Sequence, residues 1–149
     1  MPSQLPLDML TNLAKESTDE AARLLGRLSA ERTNAERQLG MLQDYRHDYL
    51  ERLQQAMTSG MSASDCHNYQ RFIGTLDDAI AQQQGVLQQA DENLNKGRLY
   101  YQQEKRKLNS YDALAQRAQR AEAVAESRRE QRLNDEYSAR LVQRQTGMH

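Results

Sequence analysis

The apolar positions of this chain fall into two heptad series. Ala14, Ala21, Leu28, Ala35, Leu42, Tyr49 and Ala56 recur every seven residues, and Ile73, Ile80, Leu87, Leu94, Tyr101, Leu108 and Ala115 form a second run. A short Gly/Ser segment from Thr58 to Ser64 separates them. Sustained heptads on both sides of one turn predict an all-α protein, two long helices folded as an antiparallel coiled-coil hairpin. Helix one is expected over about residues 7–57, starting after Pro6, and the turn over about 58–64. Helix two is expected over about 65–145, within a single domain of residues 1–149. Ser62 followed by Asp65 resembles a capping box with the shorter acid, which starts helix two near Ala63. Gly60 is the expected turn residue.

Placing Tyr49 opposite Ile73 makes paired positions sum to about 122. That register sets Ala35 against Leu87, Ala21 against Tyr101 and Ala14 against Leu108, so small residues face large ones. It also brings Leu28 to Leu94 and Leu42 to Ile80, a complementarity that fills a narrow seam. The alternate seam positions are poorer: Arg32, Arg46, Gln83, Gly97 and Glu104 interrupt the stripe. Their long side chains are expected to lie along the seam with polar heads in water. Gly26 falls near the level of Gly97, and a bend or soft point is expected there, each glycine costing about 1 kcal/mol relative to Ala.

Helix one runs out where Leu7 meets Ala115. Residues 116–149 therefore continue without an intramolecular partner. They stay helix-like in composition and carry Arg117, Arg120, Arg128, Arg129, Arg132, Arg140 and Arg144. Val124, Leu133, Tyr137 and Leu141 leave only a thin apolar stripe, and a lone helix of this kind is marginal in water. A partner is expected to complete it.

Composition narrows the possible functions. Hydrophobic residues make up 38% of the 149, with no Trp and one Phe, enough for a seam and too little for a thick globular core. A net charge of −1 points away from nucleic acid, and the basic residues of the overhang are interleaved with acidic ones. The lone Cys66 rules out an internal disulfide and suits a reducing cytoplasm. No apolar run approaches a bilayer span, and the N-terminus lacks a signal-peptide profile.

Catalysis finds little support. His47, His67 and His149 are scattered, without a second ligand one turn away to build a metal face. Asp44 and Asp48 around His47 describe a solvated face, Cys66 beside His67 lacks an orienting third group, and no phosphate-binding loop is present. No enzyme activity, metal or cofactor is expected. The aromatics are better placed. Tyr49 and Tyr69 occupy seam positions, whereas Tyr45 and Phe72 lie off the stripe and cannot both be buried between two helices. With Gln38, Leu42 and Ala79 nearby they form a candidate helix-face docking patch.

Several segments, read in order, resemble the FliJ family of the flagellar export apparatus. They are EAARLLG (Glu20 to Gly26), QLGMLQDYRHDYLERL (Gln38 to Leu53), NYQRFIGTLDDAI (Asn68 to Ile80), YDALAQR (Tyr111 to Arg117) and RREQRLNDEYSAR (Arg128 to Arg140). Each is weak alone; their joint order, with NYQ-x-F-I directly after the turn, is specific. The family is similar to the central stalk of rotary ATP synthases. The resemblance implies a coiled coil that enters the hexameric flagellar export ATPase, binds the cytoplasmic domain of the membrane export gate and cycles export chaperones. It implies a cytoplasmic protein, monomeric on its own, peripherally associated with the inner membrane at the flagellar base.

The residues resembling the gate-docking patch are Gln38, Leu42, Tyr45, Tyr49, Phe72, Leu76 and Ala79. Gln83 departs from relatives that carry His there. The ring-binding candidates are Arg117, Arg120, Arg128, Arg129, Arg132 and Arg140. Two jobs at two ends are expected, about 75 Å apart for fifty straight helical residues. On that expectation, Ala at Phe72 and Leu76 removes gate binding and leaves helicity intact.

The rivals are a prefoldin-like chaperone, a structural dimer pairing its overhangs, and the equivalent stalk of a virulence secretion system. Prefoldin assembly needs strands, and Thr58 to Ser64 offers no alternating segment for one.

Overall fold

The computed structural model describes the backbone of residues 5–147 and the side chains from Pro6 onward. Two helices pack against each other: α1, Leu5–Thr58, and α2, Ala63–Gly147. His149 lies outside the described residues. Helix α1 begins slightly before the expected start because Pro6 sits inside its first turn, where the missing N–H has no helical acceptor to lose.

The connection closes as its residues require. Gly60 has φ 89°, a left-handed conformation that costs glycine nothing. The Ser59 N–H donates to Gln55 O at 3.1 Å and the Gly60 N–H to Met57 O at 3.3 Å, satisfying carbonyls at the end of α1. The Asp65 N–H donates to Ser62 Oγ at 3.1 Å, so Ser62 caps α2.

Two units pack by themselves. In residues 18–103 the two helices enclose Ala21, Ala35, Leu53, Ile73, Leu76, Ala90 and Leu94. Contacts across this seam pair residues whose numbers sum from 118 to 125, centred on the expected 122. Both heptad series point inward along their whole length: all fourteen positions are buried or half-buried. Ala21 and Ala35, the small members of the expected pairs, are 0% and 5% exposed.

The interrupting polar residues do more than lie along the seam. Arg32 Nε donates to Asp91 Oδ1 at 2.6 Å, and Arg32 Nη1 to Glu36 Oε2 at 3.0 Å. The hydrogen bond and charge of Asp91, with Glu36 adding to them, raise the Arg32 pKa above its ordinary value. Arg46 Nε donates to Asp77 Oδ1 at 2.5 Å. Gln83 Nε2 donates to Ala35 O at 3.0 Å and to Gln38 Oε1 at 3.3 Å. These polar links tie α1 to α2 in the observed register.

The glycine expectation needs correction. Gly26 is exposed, and a methyl group added there would meet nothing within 4 Å, whereas Gly97 is buried in the seam. A Cβ on Gly97 would stand 2.6 Å from Leu28 Cδ1 and 3.7 Å from Leu25 Cδ1. The two glycines do not face each other, and both helices run through them unbroken. Gly97 is a close-packing position that lets Leu28 fill the space above the backbone.

The second unit joins residues 5–17 to residues 104–147. Its core is small: Ala14 and Leu108 are buried, with Tyr111, Ala115 and Ala118 half-buried. Glu104, 9% exposed, takes a salt bridge from Lys107 at 3.5 Å. Beyond Glu122 every described residue of α2 is exposed, because α1 has ended and supplies nothing to pack against.

Candidate functional site

Two surfaces stand out, one in each unit. The first lies near the hairpin turn. Tyr49, on the seam line of α1, is half-buried and stacks on Phe72 with ring centroids 4.3 Å apart and planes inclined by 30°. Tyr69 packs against the Tyr49 ring at 6.0 Å and 57°, and the Arg52 guanidinium stands 5.6 Å from the Tyr49 centroid. Each aromatic pair is worth about 0.5–1.5 kcal/mol beyond its buried area. The cluster therefore holds Phe72 in a fixed position while leaving it 40% exposed.

Tyr45 is 56% exposed, so both aromatics expected outside the seam are outside it. Gln38 is exposed, while Leu42, Tyr49 and Ala79 are half-buried beneath the surface they border. Leu76 differs from the rest. It is only 7% exposed and belongs to the core, so an Ala there changes packing as well as any surface. Met41 is 56% exposed, lies one helical turn from Tyr45 and extends the patch beyond the expected residues. Its only mark in the sequence is an apolar side chain one position off the heptad line, beside Leu42, which heptad phase alone does not select.

Asp77 adds a polar edge to this surface through its pair with Arg46. Gln83 is half-buried and occupied by its bonds to Ala35 and Gln38.

The second surface is the α2 overhang. Arg117, Arg120, Arg128, Arg129, Arg132 and Arg140 are all exposed. Arg129 has an ionic neighbour within the helix, Glu126 at 3.9 Å, a distance that adds little at a solvated surface. Val124, Leu133, Tyr137, Leu141 and Val142 are exposed too. In neither unit do these residues converge as a reaction centre would. Among the described residues no group of three or more His, Cys, Asp or Glu could hold a metal ion. His47 Nε2 meets Glu51 Oε1 at 3.2 Å on an exposed face, and Cys66 is a half-buried free thiol. No described helix is long and apolar enough to cross a membrane.

A family model described as "Flagellar FliJ protein" matches residues 3–147 of this chain. The chain belongs to the FliJ family. It is 35% identical to the Flagellar FliJ protein of Salmonella typhi over 138 residues, covering 93% of this chain and 94% of that one. Identity to the Flagellar FliJ protein of Escherichia coli (strain K12) is 34% with the same coverage. Membership in FliJ makes the chain a component of the flagellar protein-export apparatus.

Proposed function

We propose that this FliJ-family chain is a non-enzymatic, stalk-like coupling element of flagellar export. In this reading the overhang of α2 contacts the hexameric export ATPase, and the surface of Tyr45 and Phe72 contacts the cytoplasmic domain of the export gate. The chain joins ATP hydrolysis to export and assists the cycling of export chaperones, working at the cytoplasmic face of the inner membrane. One observation carries the proposal: α2 outruns α1 and leaves an arginine-bearing helix exposed from residue 123 to 147. An isolated helix of this composition gains little in water, so its persistence is best explained by a partner that covers it.

The fixed and half-exposed Phe72 supports the second contact. Interfaces concentrate their energy in such anchored aromatics. The arginines suit acidic positions on a ring, with binding that weakens as salt rises. The shared name of the family and its relatives favours the flagellar apparatus over a virulence secretion system.

The test is ATP hydrolysis by the purified flagellar export ATPase, with the full chain and with a form ending at Ala115. Stimulation that disappears on truncation supports the overhang as the ring contact. Equal stimulation by both forms refutes that assignment.

A further inference from the structure

The overhang carries its own heptad line, distinct from the hairpin seam. Glu126, Glu130, Leu133, Tyr137, Arg140 and Arg144 are spaced 4, 3, 4, 3 and 4 residues apart, the spacing of alternating a and d positions. All six are exposed along one helical face, with Leu133 and Tyr137 each 64% exposed. A shallow groove runs onto the same face through Gln119, Ala123, Glu126 and Glu130.

The order along this line is acidic, acidic, apolar, apolar, basic, basic. An antiparallel copy of the same helix reads it in reverse. With a two-fold axis near Asp135, Glu126 meets Arg144, Glu130 meets Arg140 and Leu133 meets Tyr137. Each pair sums to 270, so one register satisfies all three layers and their symmetry mates. Every layer also joins an a position to a d position, as antiparallel coiled coils require. A parallel copy would set Glu126 on Glu126 and Arg144 on Arg144, which charge repulsion disfavours.

We propose that the overhang is a self-complementary pairing surface whose occupant is the overhang of a second copy of this chain. Two Leu133 and two Tyr137 form the centre, and four Glu–Arg pairs close its two ends. The interface is isologous, so it ends at a dimer. Its apolar centre is short and its rim is ionic, so the dimer is reversible and falls apart as salt rises. Among the described residues Glu130, Arg140 and Arg144 have no ionic partner within their own chain, which leaves them for the second copy. Arg117, Arg120, Arg128 and Arg132 lie toward the opposite face of the helix at 100° per residue and take no part. The inference does not depend on the ATPase contact, and a chain paired this way must release its copy before Arg140 can meet the ATPase ring.

The test is sedimentation velocity of the full chain over a range of concentrations at low and high salt, with two charge-reversed variants. One is E126R/E130R, which makes all four charged positions basic; the other is R140E/R144E, which makes them acidic. Wild type should pass reversibly from monomer to dimer with concentration, and each variant alone should stay monomeric. An equimolar mixture of the two variants should regain a one-to-one dimer, because all four ion pairs are restored, two of them with reversed sign. Folding of each variant is checked by helicity, and the mixture supplies its own control. A wild type that stays monomeric at low salt overturns the proposal. So does a dimer that survives in both variants, or a mixture that fails to associate.

Discussion

Gly97 and Gly26 make opposite demands on the same substitution, and that contrast tests the packing of the hairpin. In a helix interior, Gly→Ala gains roughly 0.8–1 kcal/mol from the backbone alone. At Gly26 nothing stands within 4 Å of the new methyl, so the whole gain should appear. At Gly97 the methyl would stand 2.6 Å from Leu28 Cδ1, about 1 Å inside ordinary contact. The obstacle is the end of a flexible side chain, so Leu28 can turn aside. Overpacking a filled seam, with the off-rotamer displacement of Leu28 included, costs about 1–3 kcal/mol. G97A should therefore range from neutral to about 2 kcal/mol destabilising, while G26A stabilises. The assay is urea unfolding followed by helicity, with both variants in parallel. L28A provides the internal check, because G97A should cost less in its background than in the wild type. If G97A stabilises the chain as much as G26A, the close approach of Leu28 to Gly97 is wrong.

Other contacts make their own demands. Asp91→Arg should lower the melting temperature by facing Arg32 with a like charge, and R32D/D91R should recover most of the loss; the difference should shrink in roughly 1 M salt, where exposed charges are screened. Because Asp91 raises the Arg32 pKa, this contribution, while the Asp91 carboxylate is charged, is complete below the ordinary arginine range and fades as pH rises into strong alkali, so no dependence on Arg32 protonation should appear between about pH 6 and 9. Leu76→Ala should destabilise the hairpin by about 2 kcal/mol or more through lost core packing, whereas Phe72→Ala should keep its helicity and lose chiefly the aromatic surface; gate-binding assays with Phe72→Ala and Tyr45→Ala separate docking from stability. Limited trypsin digestion of the monomeric chain, at high salt and low concentration, should cut first at Arg128, Arg132 and Arg140, and leave the sites at Arg32 and Arg46 until later, because the former lie in a helix that nothing in its own chain packs against.

The pairing of the two helices is written in the chain itself. A seven-residue apolar repeat leaves each helix one face to bury, and a single turn with glycine at its corner permits only an antiparallel return. Residues 49 and 73 then set the register, and the observed contacts cluster around it. The end of α1 is legible for the same reason: counting back from the turn shows where α2 must continue alone. The off-seam placement of Tyr45 and Phe72 follows from the heptad phase.

Contacts that cross the seam are another matter, because a period along one helix carries no information about the reach of the other. Heptad phase says that Arg32, Arg46 and Gln83 face the partner helix, but not that Asp91, Asp77 and the Ala35 carbonyl stand there to receive them. Gly97 reads as a weak point by propensity. Beside Leu28 it is a position where a missing Cβ makes room, because packing depends on the neighbour's volume. Leu76 shows the same division: its spacing places it beside the docking residues, and only the packed helices reveal that its side chain is already used to hold them together.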